Sequence, residues 1–244
     1  MPFGESAAVY QTARQAYPQA VFDYIQTQLS ETNKKSLLDL GCGTGIATRA
    51  LQQLGFSKIT GCDVDADMLI EARQHGDTTI EYHCSPAHHL PFSPEAFDVI
   101  TSFGAFHWFC DTASVTEIKR ILKSSGIFFI INKNDVSNFR REVIDIAARY
   151  TVLKQAHQKA DYFPNAILTQ HHFKDVQKTS FQVSEKYDLV QLAALVQSMQ
   201  FWSHIEPEIK PELLKALHDH FEKQLHNGYY ERFISVDLVW GIKA

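Results

Sequence analysis

The stretch Ser36-Leu37-Leu38-Asp39-Leu40-Gly41-Cys42-Gly43-Thr44-Gly45-Ile46 decides the fold. Leu37, Leu38 and Leu40 read as a short buried strand. The glycines at 41, 43 and 45 then predict a sharp turn whose backbone can approach a ligand with no Cβ in the way. An amphipathic helix follows, with Ile46, Ala50, Leu51 and Leu54 on one face at helical spacing. Unpaired N–H groups at its start favour a carboxylate or another polar acceptor. A dinucleotide fingerprint, G-x-G-x-x-G, would need Gly or Ala at position 46, and Ile46 stands there.

Outward from this turn, Lys58–Asp63 forms a second strand that ends in an acid, 18 residues after Gly45. A carboxylate there can accept both hydroxyls of a nucleoside's ribose. Asp65 and Asp67 read as cap and first-turn acids of a helix with Met68, Leu69 and Ala72 on its apolar side. Residues 79–84 alternate as a third strand, and Phe97–Phe103 is a fourth. The fourth runs into Gly104-Ala105-Phe106-His107-Trp108-Phe109, on the side of a parallel sheet that opens onto the ligand crevice. Asp111 caps a helix with Val115, Ile118 and Leu122 as its stripe. Leu122–Gly126 reads as a turn into a fifth strand, Ile127–Asn132, whose unbroken apolar run suits a buried parallel strand. Upstream, Pro18 opens a helix to about Leu29. Downstream the pattern predicts a helix over 138–154 and a loop at Tyr162-Phe163-Pro164. A strand over 175–187, helices over 188–199 and 211–225, and a last strand over 229–242 complete the chain.

The bulk numbers exclude several classes. At 244 residues, 45% hydrophobic and 21% charged, the chain is an ordinary globular protein with room for one core, or one domain with a small cap. A net charge of −5 argues against a nucleic-acid backbone as main partner. Met1–Ser6 lacks a basic region followed by an apolar run, so no signal peptide is read. The strongest apolar run, Ile127–Ile131, is too short to cross a bilayer. Four cysteines (42, 62, 84 and 110) show no C-x-x-C spacing, and twelve histidines show no H-E-x-x-H. No metal site is expected, nothing points to an obligate protein partner, and a reduced, cytoplasmic protein fits best. Cys42, Cys62 and Cys84 fall at or beside the ends of the first three strands, as inert thiols or as a redox-sensitive group.

The D-x-G-x-G-x-G of Asp39–Gly45 resembles motif I of the class I S-adenosyl-L-methionine (SAM)-dependent methyltransferases. Ser85-Pro86-Ala87-His88-His89-Leu90-Pro91-Phe92 and Phe97-Asp98-Val99-Ile100 are similar to that family's (G/S)-x-A-E-x-L-P-F and F-D-x-V. Pro86 and His88 stand where members carry acids, so the resemblance leaves the adenine amino group to backbone groups at Ala87 and His88. Tyr10-x3-Arg14-x2-Tyr17-Pro18 resembles the N-terminal segment that folds over the cofactor pocket, with Gln15 in place of the usual Pro. Ala105-Phe106-His107-Trp108-Phe109 resembles a subgroup that includes the trans-aconitate methyltransferases.

The resemblance covers residues 1–132 and thins beyond them. It implies an α/β, Rossmann-like, seven-stranded and mostly parallel sheet with helices on both faces and a helical lid from the C-terminal half. Residues 1–132 would be the SAM-binding core with its N-terminal lid segment, and 133–244 the remainder of the same domain with late strands and an inserted helical cap. SAM would be the cofactor and S-adenosyl-L-homocysteine (SAH) the product. The implied cofactor residues are Asp39, Gly41, Cys42, Gly43, Gly45, Asp63, Val64, Met68, Ala87, His88 and Phe103. A small-molecule methyl acceptor, on the subgroup likeness a small carboxylic acid, would meet Tyr10, Arg14, Tyr17, His107 and Trp108. A carboxylate acceptor needs no general base; a hydroxyl or amine does, and His107 is the catalytic candidate. Two other readings stand beside this one. A SAM-binding regulator or partner subunit would bind without turnover, and a nicotinamide oxidoreductase is disfavoured by Ile46.

Overall fold

The computed structural model describes residues 7–75, 78–153 and 162–244; the readings of Met1–Ser6 and of the helix end at Lys154 lie outside them. The first half runs α1 (Ala7–Ala13), α2 (Gln19–Thr27), β1 (Ser36–Leu40), α3 (Ile46–Ala50), β2 (Lys58–Asp63), α4 (Ala66–His75), β3 (Glu81–Cys84), β4 (Phe97–Phe103) and α5 (Thr112–Ile121). The second half runs β5 (Leu122–Asp135), α6 (Phe139–Ala147), α7 (Pro164–Gln170), β6 (Phe173–Tyr187), α8 (Leu189–Gln197), α9 (Lys210–Glu222) and β7 (Tyr230–Lys243).

Seven strands form one sheet in the order β3-β2-β1-β4-β5-β7-β6. β1 pairs in parallel with β2 and β4, as do β2 with β3 and β4 with β5. Along β5 and β7 the residue numbers run in opposite senses, with Phe129 against Trp240 and Val136 N–H donating to Phe233 O. Ser180 meets Asp237 and Gln182 meets Ser235 in the same way. β7 therefore lies antiparallel between two neighbours, and the sheet is mostly parallel and Rossmann-like, as expected. Chain order reverses between β1 and β4, and the carboxyl ends of strands at such a point open a ligand crevice.

Three elements differ from the sequence pattern: the helix expected over 138–154 ends at Ala147, because residues 148–153 run on as a turn and irregular chain, and two others change in kind. The helix after the glycine turn is α-helical only to Ala50, tightens to a 3₁₀ turn over Leu51–Leu54, and stops at Gly55 with φ +70°. Its buried residues are Ala47, Thr48, Leu51 and Leu54, while Ile46 and Ala50 are only half-buried. The expected turn at Leu122–Gly126 is a bulge inside β5. Phe97 pairs with Leu122 but Val99 with Ile127, and Ser125 takes φ +63°. Ser124 N and Oγ both donate to Glu95 Oε1, which holds the excursion in place.

The described residues fall into two compact units. One comprises 16–75, 78–133, 162–181 and 236–244; the other comprises 7–15, 134–153 and 182–235. This division is discontinuous in sequence. The first unit buries Leu38, Leu40, Ile100, Phe106, Phe128 and Val239 at the centre of its apolar core. The second packs α6, α8 and α9 through Phe139, Leu192, Leu195, Leu217 and Phe221. In it α8 begins with a capping box, Asp188 accepting from Gln191 N while the Gln191 side chain accepts from Asp188 N. Arg232 is buried there between Asp135, at 3.1 Å, and Glu185, at 3.5 Å.

Candidate active site

The glycine turn is built by backbone geometry. Gly41, Gly43 and Gly45 all have positive φ, at +73°, +53° and +75°. Gly41 N and Cys42 N both donate to Cys62 O, at 2.8 and 3.1 Å, which seats the turn on the end of β2. A Cβ on Gly41 would lie 2.4 Å from Ala105 Cβ, whereas one on Gly43 would meet nothing within 4 Å. Gly41 is therefore a packing requirement, and Gly43 leaves an open face.

Asp63 ties β2 to that turn. Its Oδ2 accepts from Gly43 N at 2.8 Å and its Oδ1 from Asp65 N at 2.9 Å. Burial pushes its carboxyl above the ordinary range, against the pull of those backbone N–H groups. Each oxygen keeps a lone pair for a further donor. Ser85 N donates to Asp63 O, and Ser85 Oγ donates to His89 O, so the Ala87–His88 loop is anchored to the same strand end. Ala87 is buried and His88 exposed.

Three of the expected cofactor residues stand differently. Asp39 is 0% exposed, with Thr48 Oγ1 donating to Oδ2 at 2.6 Å and Thr101 Oγ1 to Oδ1 at 2.9 Å. It braces β1 against α3 and β4 and presents no surface to a ligand. Burial raises its carboxyl to about 6, with Asp63 adding a smaller repulsion. Met68 is buried in the core, while Val64, next to Asp63, is 56% exposed and is the apolar side chain available to a nucleobase. Cys42 is half-buried, and burial holds its thiol well above the usual range, so it is a neutral packing group.

The carboxyl end of β4 carries the residues expected to meet the acceptor. Phe103 is flanked by Tyr17, with ring centroids 4.8 Å apart, and by Phe22 at 5.8 Å. Gly104 N donates to Ile131 O at 2.7 Å, and the chain then enters a 3₁₀ turn over Phe106–Trp108. Phe106 is buried beneath it, leaving His107 and Trp108 half-buried with rings 4.9 Å apart. Tyr162 packs edge-on to His107 at 5.9 Å, and its hydroxyl donates to Asn132 Oδ1 at 3.3 Å. Tyr162 and Asn132 were not legible as site residues, since neither lies in a motif; only the position of Asn132 at the end of the fifth strand was a signal. Tyr17 belongs to the first unit, Tyr10 and Arg14 to the second. There the Arg14 guanidinium lies 5.0 Å from the Tyr10 ring, and Nη2 donates to Ser198 O at 3.4 Å.

The donor set fits a nucleoside with an amino-acid tail. Thr44 Oγ1 is buried in the turn without a hydrogen-bond partner, Gly43 presents an open face, Asp63 offers carboxylate lone pairs, and Val64 offers exposed apolar surface.

A methyltransferase-domain family model matches residues 38–130. An uncharacterized methyltransferase of Schizosaccharomyces pombe is 23% identical, covering 86% of this chain and 83% of its own. A ubiquinone biosynthesis O-methyltransferase of Haemophilus ducreyi is 34% identical over 46% of this chain and 51% of its own. Among solved structures, the YcgJ protein from Bacillus subtilis matches with TM-score 0.59 and 18% identity, over 93% of this chain and 99% of its own. Phosphoethanolamine N-methyltransferase 2 from Haemonchus contortus, solved with SAM, matches with TM-score 0.52 and 18% identity, over 92% of this chain and 52% of its own. The methyltransferase-domain match and the methyltransferase relatives support a class I SAM-dependent methyltransferase, with SAM as cofactor.

Proposed function

We propose that this methyltransferase moves its methyl group to an oxygen of a small-molecule acceptor held at the carboxyl end of β4, with small carboxylic acids the first class to try. Bound SAM supplies a methyl group already activated on a sulfonium, so the chain's contribution is to hold, orient and exclude water. Asp63 would take the ribose, the Gly43-Thr44-Gly45 turn the amino-acid tail, and Val64 with the Ala87–His88 loop the adenine. His107 and Trp108 would face the acceptor, with Phe103 and Tyr17 behind them. A carboxylate acceptor arrives ionised; from a hydroxyl, an imidazole nitrogen of His107 would take the proton.

One observation carries this reading: Ala105 packs so tightly on Gly41 that no Cβ fits between them. That contact puts the loop bearing His107 and Trp108 against the cofactor turn. The O-methyltransferase name of the Haemophilus ducreyi relative supports an oxygen acceptor. A binding protein without turnover is not favoured by the methyltransferase-domain match. Among the described residues no helix is long and apolar enough to cross a membrane, which is compatible with a diffusible acceptor.

A thermal shift with SAH, with NAD⁺ as control, tests the pocket. At about 100 times Kd, SAH should add roughly 2.7 kcal/mol and raise Tm by several degrees. Transfer of label from methyl-tritiated SAM then sorts acceptors. Labelled small acids or hydroxyl compounds are expected, and label found only on RNA would overturn the proposal.

A further inference from the structure

Tyr82, on β3, crosses beneath the glycine turn. Its ring carbons lie 2.6 and 2.7 Å from where a Cβ on Gly61 would stand, so the ring fills that space. Its hydroxyl lies 2.7 Å, and Arg49 Nη1 2.9 Å, from the place of a Cβ on Gly45. Gly45 is thus closed in from behind, in a backbone conformation (φ +75°) that already favours glycine. Arg49, one turn into α3, donates from Nη1 back to Thr44 O at 2.7 Å. The Thr44 hydroxyl is buried without a hydrogen-bond partner, while the Tyr82 hydroxyl is buried beside the Arg49 guanidinium and shares a hydrogen bond with it. Burial pushes the Tyr82 phenol up to about 12, which keeps it a donor at neutral pH. An unpaired buried hydroxyl is costly, and that of Thr44 points to a polar ligand that completes the turn.

We propose that Arg49 and Tyr82 form a clamp that sets the Gly43-Thr44-Gly45 turn for the amino-acid tail of SAM. Arg49 engages the Thr44 carbonyl, so that acceptor does not oppose the tail's carboxylate, and it places a positive charge behind the turn. Tyr82 fixes the height of Gly45 and so the direction of the turn's N–H groups. Both are positioning residues, acting through the turn and not on the methyl group. Their role rests on the assignment of the turn to the cofactor, which the unaltered protein tests separately by binding SAH.

Calorimetry compares SAH with 5′-methylthioadenosine, which keeps the adenine and ribose but lacks the amino-acid tail. Arg49→Met and Tyr82→Phe should each weaken SAH about tenfold and leave methylthioadenosine within about twofold. The Phe variant keeps the ring that packs on Gly61, so the fold is retained. If both ligands weaken together, or if either variant binds SAH as the unaltered protein does, the clamp is wrong. If the unaltered protein binds no SAH, the cofactor assignment of the turn fails first.

Discussion

Gly41 and Gly43 share a left-handed backbone yet face different neighbours, and their alanine variants should separate stability from binding. An alanine at 43 meets nothing within 4 Å, so it pays only the strain of positive φ, about 1–2 kcal/mol, and the protein still folds. Its methyl group enters the open face of the turn, and SAH affinity should fall at least about tenfold. An alanine at 41 collides with Ala105 and should lower Tm well beyond the change at 43, measured side by side in one melt series. Asp39 offers a pH test with a definite sign. Its ordinary value is 3.8 and its folded value about 6, so between them the folded state holds more protons than the unfolded one. Stability therefore falls as pH rises from about 4 to about 6 and stays lower above, by about 3 kcal/mol at most. Asp39→Asn can still accept from one threonine and donate to the other. It should gain stability over the unaltered protein at pH 7.5 and lose that gain near pH 4, by urea titration; an equal difference at both pH values would remove Asp39 as the cause. The place of Asp63 at the end of β2 was legible in the sequence because a strand-ending acid is a local pattern. The burial of Asp39 and Met68 was not legible, because it is set by Thr48, Thr101 and core residues distant in sequence.

Short strands and capped helices follow from local chemistry, which is why Ser36–Leu40, Lys58–Asp63 and Phe97–Phe103 could be read residue by residue. The β5 bulge could not, because Lys123-Ser124-Ser125-Gly126 has the composition of a turn. Only the pairing of Phe97 with Leu122 and Val99 with Ile127 keeps the segment inside the strand. The change from α-helix to a 3₁₀ turn after Ala50 was not legible either, because the stripe of Ala50, Leu51 and Leu54 fits both; only the stop at Gly55, in a left-handed conformation, has a local signal. On the proposed function, the loop after β4 carries the chemistry. His107→Gln keeps a polar side chain of similar reach, while losing the proton acceptor. With a hydroxyl acceptor kcat should drop about 10²–10⁴-fold, and with a carboxylate acceptor it should change little. A pH–rate profile under saturating SAM checks the assignment. Equal losses on both acceptor classes would make His107 a packing residue of the Tyr162–Trp108 group.

At the scale of the whole chain, the division into two units was invisible in the sequence, because residues 7–15 and 182–235 come together only in three dimensions. Each unit has its own apolar core, and Gly43, Asp63, Val64, Ala87, His88 and Phe103 all belong to the sheet-centred one. The helical unit is marked by a buried charge group. Arg232 lies between Asp135 and Glu185, Glu185 also accepts from the Tyr187 hydroxyl at 2.7 Å, and the guanidinium stacks 5.2 Å from the Phe139 ring. Removing the cation leaves two buried carboxylates without their counter-charge, a change that typically costs about 3–5 kcal/mol. Arg232→Met keeps most of the side-chain volume and should lower stability by that order in urea. Glu185→Gln in the same background should return part of the loss, since it discharges one of the stranded acids. SAH affinity, by calorimetry at a temperature where both variants are folded, should stay within about twofold of the unaltered protein. A large fall in SAH affinity on Arg232→Met would mean that the cofactor site depends on the helical unit's buried ions, and that the division of labour between the two cores is not the one drawn from their residues.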